Sequence, residues 1–298
     1  MTAAPKMIAI DMDGTLVHPG GTVSPGNQTA LDCARRAGAR IVIATGRRHS
    51  YAMKVLRTGN FHPEDIVLSS NGAVARTMDG RLLFREQMPV ETALWLCQTA
   101  DAYRNCLVFT FDTMDAHGKE GPGALVLEEL EDLNASIETW MAANATDIRR
   151  VAPVESAFDG AAFPAIQAML CGGMQRMEEA FGMLETANEG RLSLTRTIYP
   201  LRNLCILDIL PRGCSKGAGL EHLLREEGLT ADDLMAIGDN WNDLTMLEAA
   251  RWPMLMGNAP DDLRQLAEDR GWTVTRHHHE DGVAEAIATC FPKPAEAV

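Results

Sequence analysis

Four short stretches of this 298-residue chain carry side chains that could do chemistry together. Asp11-Met12-Asp13-Gly14-Thr15 sets two carboxylates two positions apart, and Gly14 permits a sharp turn that lets both face one cavity. In that arrangement one carboxylate attacks while the other moves a proton. An Asp-Gly turn closing a strand would leave the same letters, but Asp11 lies within the apolar run itself, where a solvated Asp has no structural use. Thr45-Gly46-Arg47 offers a hydroxyl and open backbone N–H groups at the start of the next helix, which is an anion seat or else a plain N-cap. Arg47 either contacts the anion or pairs with an acid. Lys216 occupies the first turn of a predicted helix, where the dipole disfavours a cation unless an anion lies near. Gly238-Asp239-Asn240-Trp241-Asn242-Asp243 holds two carboxylates and two amides, hard oxygen donors suited to Mg2+ with a substrate phosphate. Asp243 reads equally as the N-cap of the helix after it; Asp239 has no such explanation.

The elements around these stretches explain why they would meet. Residues 7–10, 41–44 and 66–69 are continuous apolar runs of strand length, as expected for strands buried on both faces of a parallel sheet. Between the first two lie a Gly/Pro/Ser loop over 18–26 and a helix over 29–37 that Gly38 stops. The tail repeats the rhythm, with helices predicted over 216–227, 243–250, 261–270 and 282–289 and strands over 234–237, 253–256 and 273–275. All four stretches fall at strand ends or helix starts, and the carboxyl ends of parallel strands share one crevice. From about residue 84 to 211 the pattern changes to helices (90–102, 175–187) beside strands (107–111, 165–170, 192–195, 205–210), with a hairpin or long loop over 112–123. The expected fold is α/β, a doubly wound (Rossmann-like) parallel-sheet core over 1–84 and 212–298 with an inserted α+β domain over 85–211. Asn71-Gly72 reads as a hairpin turn, His277-His278-His279 as a solvated loop, and the Pro/Ala-rich tail from Pro292 as a frayed terminus.

Composition narrows the function. With 46% hydrophobic and 23% charged residues the chain has the material for a packed core. Its 27 Lys+Arg against 41 Asp+Glu give a net charge of −14, a field that repels nucleic acid and anionic lipid, so neither is expected as a partner. No apolar run approaches the roughly 20 residues that span a bilayer, and the N-terminus runs straight into a strand, so a cytoplasmic location is expected. Seven scattered cysteines without a C-x-x-C pair argue against disulfides or a zinc site.

Taken together, DxDGT at Asp11, the strand-terminal Thr45, Lys216 and GDxxxD at Asp239 resemble the haloacid dehalogenase superfamily of phosphotransferases, in that family's order. Ile43-Ala44-Thr45-Gly46-Arg47, Ser70-Asn71-Gly72-Ala73 and the 238–243 segment look like its Cof-type phosphatase branch. The gap of 34 residues from Asp11 to Thr45 is too short for a domain, whereas the 171 from Thr45 to Lys216 accommodate one, so the resemblance implies a large α/β cap between the second and third motifs. It also implies roles. Asp11 would be the nucleophile and Asp13 the general acid/base, while Thr45 and Lys216 would hold the phosphoryl oxygens. Mg2+ would be bound by Asp11, the Asp13 backbone carbonyl and Asp239, with Asp243 behind them. The Met12 backbone, Gly46 and Asn242 would lie at the substrate. The expected activity is hydrolysis of small phosphate esters, sugar phosphates or phosphorylated cofactors, through an aspartyl-phosphate. A phosphomutase on the same scaffold and a receiver-type phosphoacceptor are the alternatives; the second lacks any use for a proton-transferring Asp13 or an inserted domain.

Overall fold

Met7–Asp11 (β1) is buried along its whole length in the computed structural model, as its unbroken apolar run requires. The residues described are 4–18, 20–115, 121–129 and 135–291, so the tail from Pro292 and the middle of the 112–123 loop lie outside them. Helix α1 (Pro25–Arg36) begins inside the stretch expected to be loop, because Ser24 caps Asn27 N–H and Pro25 at the first helical position comes with its φ already set. Strand β2 (Arg40–Ala44) pairs parallel with β1, placing Ala44 opposite Asp11. Helix α2 (His49–Leu56) and strand β3 (Ile66–Ser69) follow, and a tight turn leads into β4 (Val74–Thr77), antiparallel to β3.

The chain divides into two units, Met1–Asp79 with Ser215–Val298, and Gly80–Cys214. The second unit opens with the short strand β5 (Leu82–Arg85) and helix α3 (Val90–Thr99), then β6 (Leu107–Phe111), β7 (Leu125–Leu127), α4 (Ala135–Ala143) and β8 (Ile148–Arg150). Strand β9 (Ala165–Gly172), helix α5 (Met174–Ala187) and the antiparallel pair β10 (Leu192–Tyr199) and β11 (Leu204–Pro211) complete it. Its six-stranded sheet runs β10-β11-β9-β6-β7-β8, and Leu96, Phe109, Leu170, Met177 and Leu207 form its core.

The remaining chain adds α6 (Lys216–Glu226), β12 (Leu234–Gly238), α7 (Leu244–Glu248), β13 (Trp252–Leu255), α8 (Asp261–Asp269), β14 (Thr273–Val274) and α9 (Gly282–Ala288). The strand order β14-β13-β12-β1-β2-β3-β4 is parallel as far as β3, which is the doubly wound α/β arrangement expected. Ile10 lies opposite Ile237, so Asp11 and Gly238 leave the sheet level with each other, and Thr45 follows one residue beyond Ala44. Register alone therefore gathers the ends of β1, β2 and β12. Among the described residues no helix is long and apolar enough to cross a membrane.

Candidate active site

Asp11 ends β1 almost wholly buried, and its Oδ1 accepts a hydrogen bond from Lys216 Nζ at 2.6 Å. Lys216, the first residue of α6, is fully buried, and the same ammonium donates to Asp243 Oδ1 at 2.5 Å. Burial alone would push this lysine's pKa down; the two carboxylates more than reverse that and hold it above the usual lysine range. Asp243 does not cap α7. Its second oxygen accepts the backbone N–H groups of Asp239 (2.9 Å) and Asn240 (3.0 Å), a capping box around the Trp241–Asp243 turn. Both of its oxygens are thereby engaged.

Asp239 lies beside this bracket, 7% exposed. Thr15 Oγ1 donates to its Oδ1 at 3.0 Å and Asn258 Nδ2 to its Oδ2 at 3.2 Å. The turn carrying Thr15 closes so tightly that a Cβ on Gly14, at φ +83°, would fall 2.4 Å from Asp239 Oδ2. An L side chain there would strain the backbone and push that carboxylate aside.

Carboxylate oxygens of Asp11, Asp239 and Asp243 lie within 4.8 Å of one another. With Lys216 as their common cation, three ionised carboxylates would leave a surplus of two negative charges in a buried place. The site responds accordingly. Burial, with Asp243 adding to it, raises Asp11 to about 7, and burial together with Asp11 raises Asp239 well above the ordinary carboxylate range. A hard divalent cation would cancel that surplus, and the donor set consists of the carboxylate oxygens such an ion takes. Asp243 already accepts three hydrogen bonds, one of them from the ammonium, against one at Asp11 and two at Asp239, so Asp11 and Asp239 keep the more open lone pairs for such an ion.

Asp13 stands further out, gripped by the guanidinium of Arg47 through Nε to Oδ2 at 2.6 Å and Nη2 to Oδ1 at 2.5 Å. Arg47 therefore pairs with an acid, and that acid belongs to the first motif. The Asp13 charge also contributes to raising Asp11. Thr45 is buried, with its N–H on Leu68 O (2.8 Å), its carbonyl accepting from Asn71 N (3.0 Å) and its hydroxyl accepting from Arg47 N (3.1 Å). It caps no helix. Helix α2 starts later, at His49, because the hydroxyl folds the 45–47 turn back on itself first. Asn242 donates through Nδ2 to Asn71 Oδ1 at 3.1 Å, tying the fourth motif to the β3–β4 turn. Asn71 does shape that turn, in a left-handed conformation at φ +51° beside Ser70 at φ +50°, strain of the kind that gathers at functional sites. Met12 points into the core, so only its backbone can face the site.

Thr15, Asn71 and Asn258 are site residues that the motif spacing did not single out for contact with ligand or ligand-bearing groups. Asn258 carried a readable signal: it follows the apolar run of β13 much as Asp239 follows β12, at the same edge of the sheet.

Comparison with known proteins agrees in kind. A family model described as haloacid dehalogenase-like hydrolase matches residues 8–287. The chain is 29% identical to Phosphatase YwpJ of Bacillus subtilis (strain 168), covering 95% of this chain and 98% of that one. It is 28% identical to the 5-amino-6-(5-phospho-D-ribitylamino)uracil phosphatase YwtE of the same strain, covering 95% and 96%. The solved structure of a haloacid dehalogenase-like hydrolase from B. subtilis matches with a TM-score of 0.76 at 23% identity, over 95% of this chain and 98% of that one, a likeness of fold.

Proposed function

Because the chain belongs to the haloacid dehalogenase-like hydrolase family, we propose that it is a Mg2+-dependent phosphatase hydrolysing small phosphorylated metabolites, sugar phosphates or phosphorylated cofactors, through an aspartyl-phosphate. The observation that carries this reading is the buried Asp11 carboxylate, one oxygen fixed by Lys216 and the other without a hydrogen bond among the described residues.

That asymmetry chooses the attacking atom. The second oxygen of Asp11 forms the new O–P bond as the bond from phosphorus to the ester oxygen breaks, and Asp13 gives its proton to the departing alkoxide. Water then gives a proton to Asp13 and attacks phosphorus; the bond to Asp11 breaks, releasing inorganic phosphate and restoring the carboxylate. Lys216, the Thr45 hydroxyl, the Gly46 and Met12 backbone and the Asn242 amide surround the transferring oxygens. A carboxylate approaching a phosphate dianion at 4 Å meets repulsion of about 2 kcal/mol in water and several times that in a drier cleft. Asp11, the Asp13 carbonyl and Asp239, with Asp243 behind, would hold Mg2+, which would supply the charge that offsets it. With a loose transition state, positioning and charge account for most of the rate.

Selection among esters falls to the Gly80–Cys214 unit. Residues 85–211 hold 9 Lys+Arg against 19 Asp+Glu, an acidic balance that favours neutral, hydroxyl-rich leaving groups over polyanionic ones. The test is a panel of phosphomonoesters assayed for free phosphate with and without Mg2+. Asp11→Asn should lose on the order of a thousandfold or more in turnover. An Asn variant that keeps most of it removes Asp11 as nucleophile, and turnover without free phosphate, dependent on added bisphosphate, points to a mutase.

A further inference from the structure

We propose that Asn258 is a positioning residue that fixes the orientation of Asp239 for metal binding, an inference that rests on the metal role given to Asp239 above. Asn258 lies just past β13, where Met256 N–H still reaches Gly238 O at 2.9 Å, so the Met256–Ala259 turn runs directly alongside Asp239. Its amide spends three valences on three separate segments. Nδ2 donates to Gly14 O at 2.8 Å and to Asp239 Oδ2 at 3.2 Å, and Oδ1 accepts the backbone N–H of His278 at 2.9 Å.

The pattern demands an amide. Two of the three neighbours are acceptors and one is a donor, and a planar group with two N–H donors and one carbonyl oxygen matches that set. Asp239 is thereby held on both oxygens, by Thr15 on Oδ1 and Asn258 on Oδ2. Without the Asn258 donors the carboxylate keeps one restraint and can rotate about its Cβ–Cγ bond. The same amide ties the Gly14 carbonyl, one residue past Asp13, to the strand end that carries Asp239, so the two chain segments expected to flank the ion share one anchor. Outer partners that orient a metal-ligating carboxylate are worth roughly 10- to 100-fold in affinity.

The bond to His278 provides a control. His278 follows an extended residue, His277 at ψ 155°, and opens a short 3-10 turn, a position that tolerates proline. His278→Pro removes the N–H that Oδ1 accepts and leaves both Nδ2 donors in place. Calorimetric titration of the metal-free protein with Mg2+, together with its thermal midpoint without metal, separates the possibilities. Asn258→Ala should weaken Mg2+ binding at least about tenfold, while His278→Pro shifts the midpoint but leaves the affinity within about twofold of wild type. Equal affinity in wild type and Asn258→Ala, or equal losses in both variants, overturns the positioning role in favour of simple tethering. Asp239→Asn is titrated alongside. If it loses Mg2+ and Asn258→Ala does not, only the Asn258 inference fails; if Asp239→Asn binds as wild type does, the metal reading itself fails and takes this inference with it.

Discussion

Lys216 lies among three carboxylates, Asp11, Asp239 and Asp243, and bonds the first and last of them, while Arg104 in the inserted unit bonds three, Asp101, Glu128 and Glu155. The ratio of cation to acid is the same, yet the two clusters behave differently. Lys216 is fully buried with its partners nearly so, whereas Arg104 is 23% exposed and Asp101 74%. Water screens the second cluster, and the hydrogen bond from Arg104 leaves Glu155 below its ordinary pKa. In the first cluster burial raises both Asp11 and Asp239. Desolvation rather than the number of acids distinguishes a site that calls for an external cation from a network that ties two loops together.

Removing each central cation gives the sharpest contrast. Lys216→Met strands three buried carboxylates and should cost roughly 3–5 kcal/mol of unfolding free energy by denaturant titration. Arg104→Met, whose partners turn to water, should cost about 1 kcal/mol or less. Similar losses from the two would erase the distinction. The Asp13–Arg47 pair tests it from the other side, since it is half-exposed like the Arg104 network but belongs to the site. Arg47→Ala should leave the thermal midpoint nearly unchanged while kcat/KM falls about tenfold or more, as Asp13 loses its fixed orientation.

The smallest expected effect follows from protonation. The folded protein holds the Asp11 proton up to about pH 7, against an ordinary value of 3.8. That proton therefore favours the folded state fully below about pH 4, and the benefit is lost as pH rises towards about 7. Metal-free wild type should lose stability relative to Asp239→Asn over this interval, by a few degrees in thermal midpoint. Mg2+ should raise the wild-type midpoint more at about pH 7.5 than at about pH 5, because binding requires the deprotonated carboxylates. A Mg2+ effect that is flat with pH would show that these carboxylates do not titrate with the ion.

The two units also differ in how far their sequence could be read. In the first, β1, β2, β3 and β12 stand out as continuous apolar runs, and the convergence of Asp11, Lys216, Asp239 and Asp243 follows from strand ends and register. Burial of both strand faces made those runs unmistakable. In the second, β7 has three residues and β8 reads Ile-Arg-Arg with two of them exposed, so neither produces a period, and helix α4 between them went unpredicted. Strand β10 runs four residues past its expected end because half-buried polar positions such as Arg196 interrupt the hydrophobic pattern without interrupting the ladder, whereas β11 exceeds its expected bounds by one residue at each end. At the site, the charged residues and Asn242 stand in short motifs, whereas Asn71 and Asn258 act through hydrogen bonds that reach as far as 171 and 244 residues along the chain, which no motif spacing encodes.

The most direct measurement is to mix Asp13→Ala with a phosphomonoester and Mg2+, quench in acid within a turnover, and map the phosphoryl group by mass spectrometry of the peptides. Without Asp13 to activate water, the covalent adduct should accumulate on the peptide containing Asp11. A phosphoryl group on any other residue, or free phosphate released while the Asp11 peptide stays unmodified, would contradict the assignment.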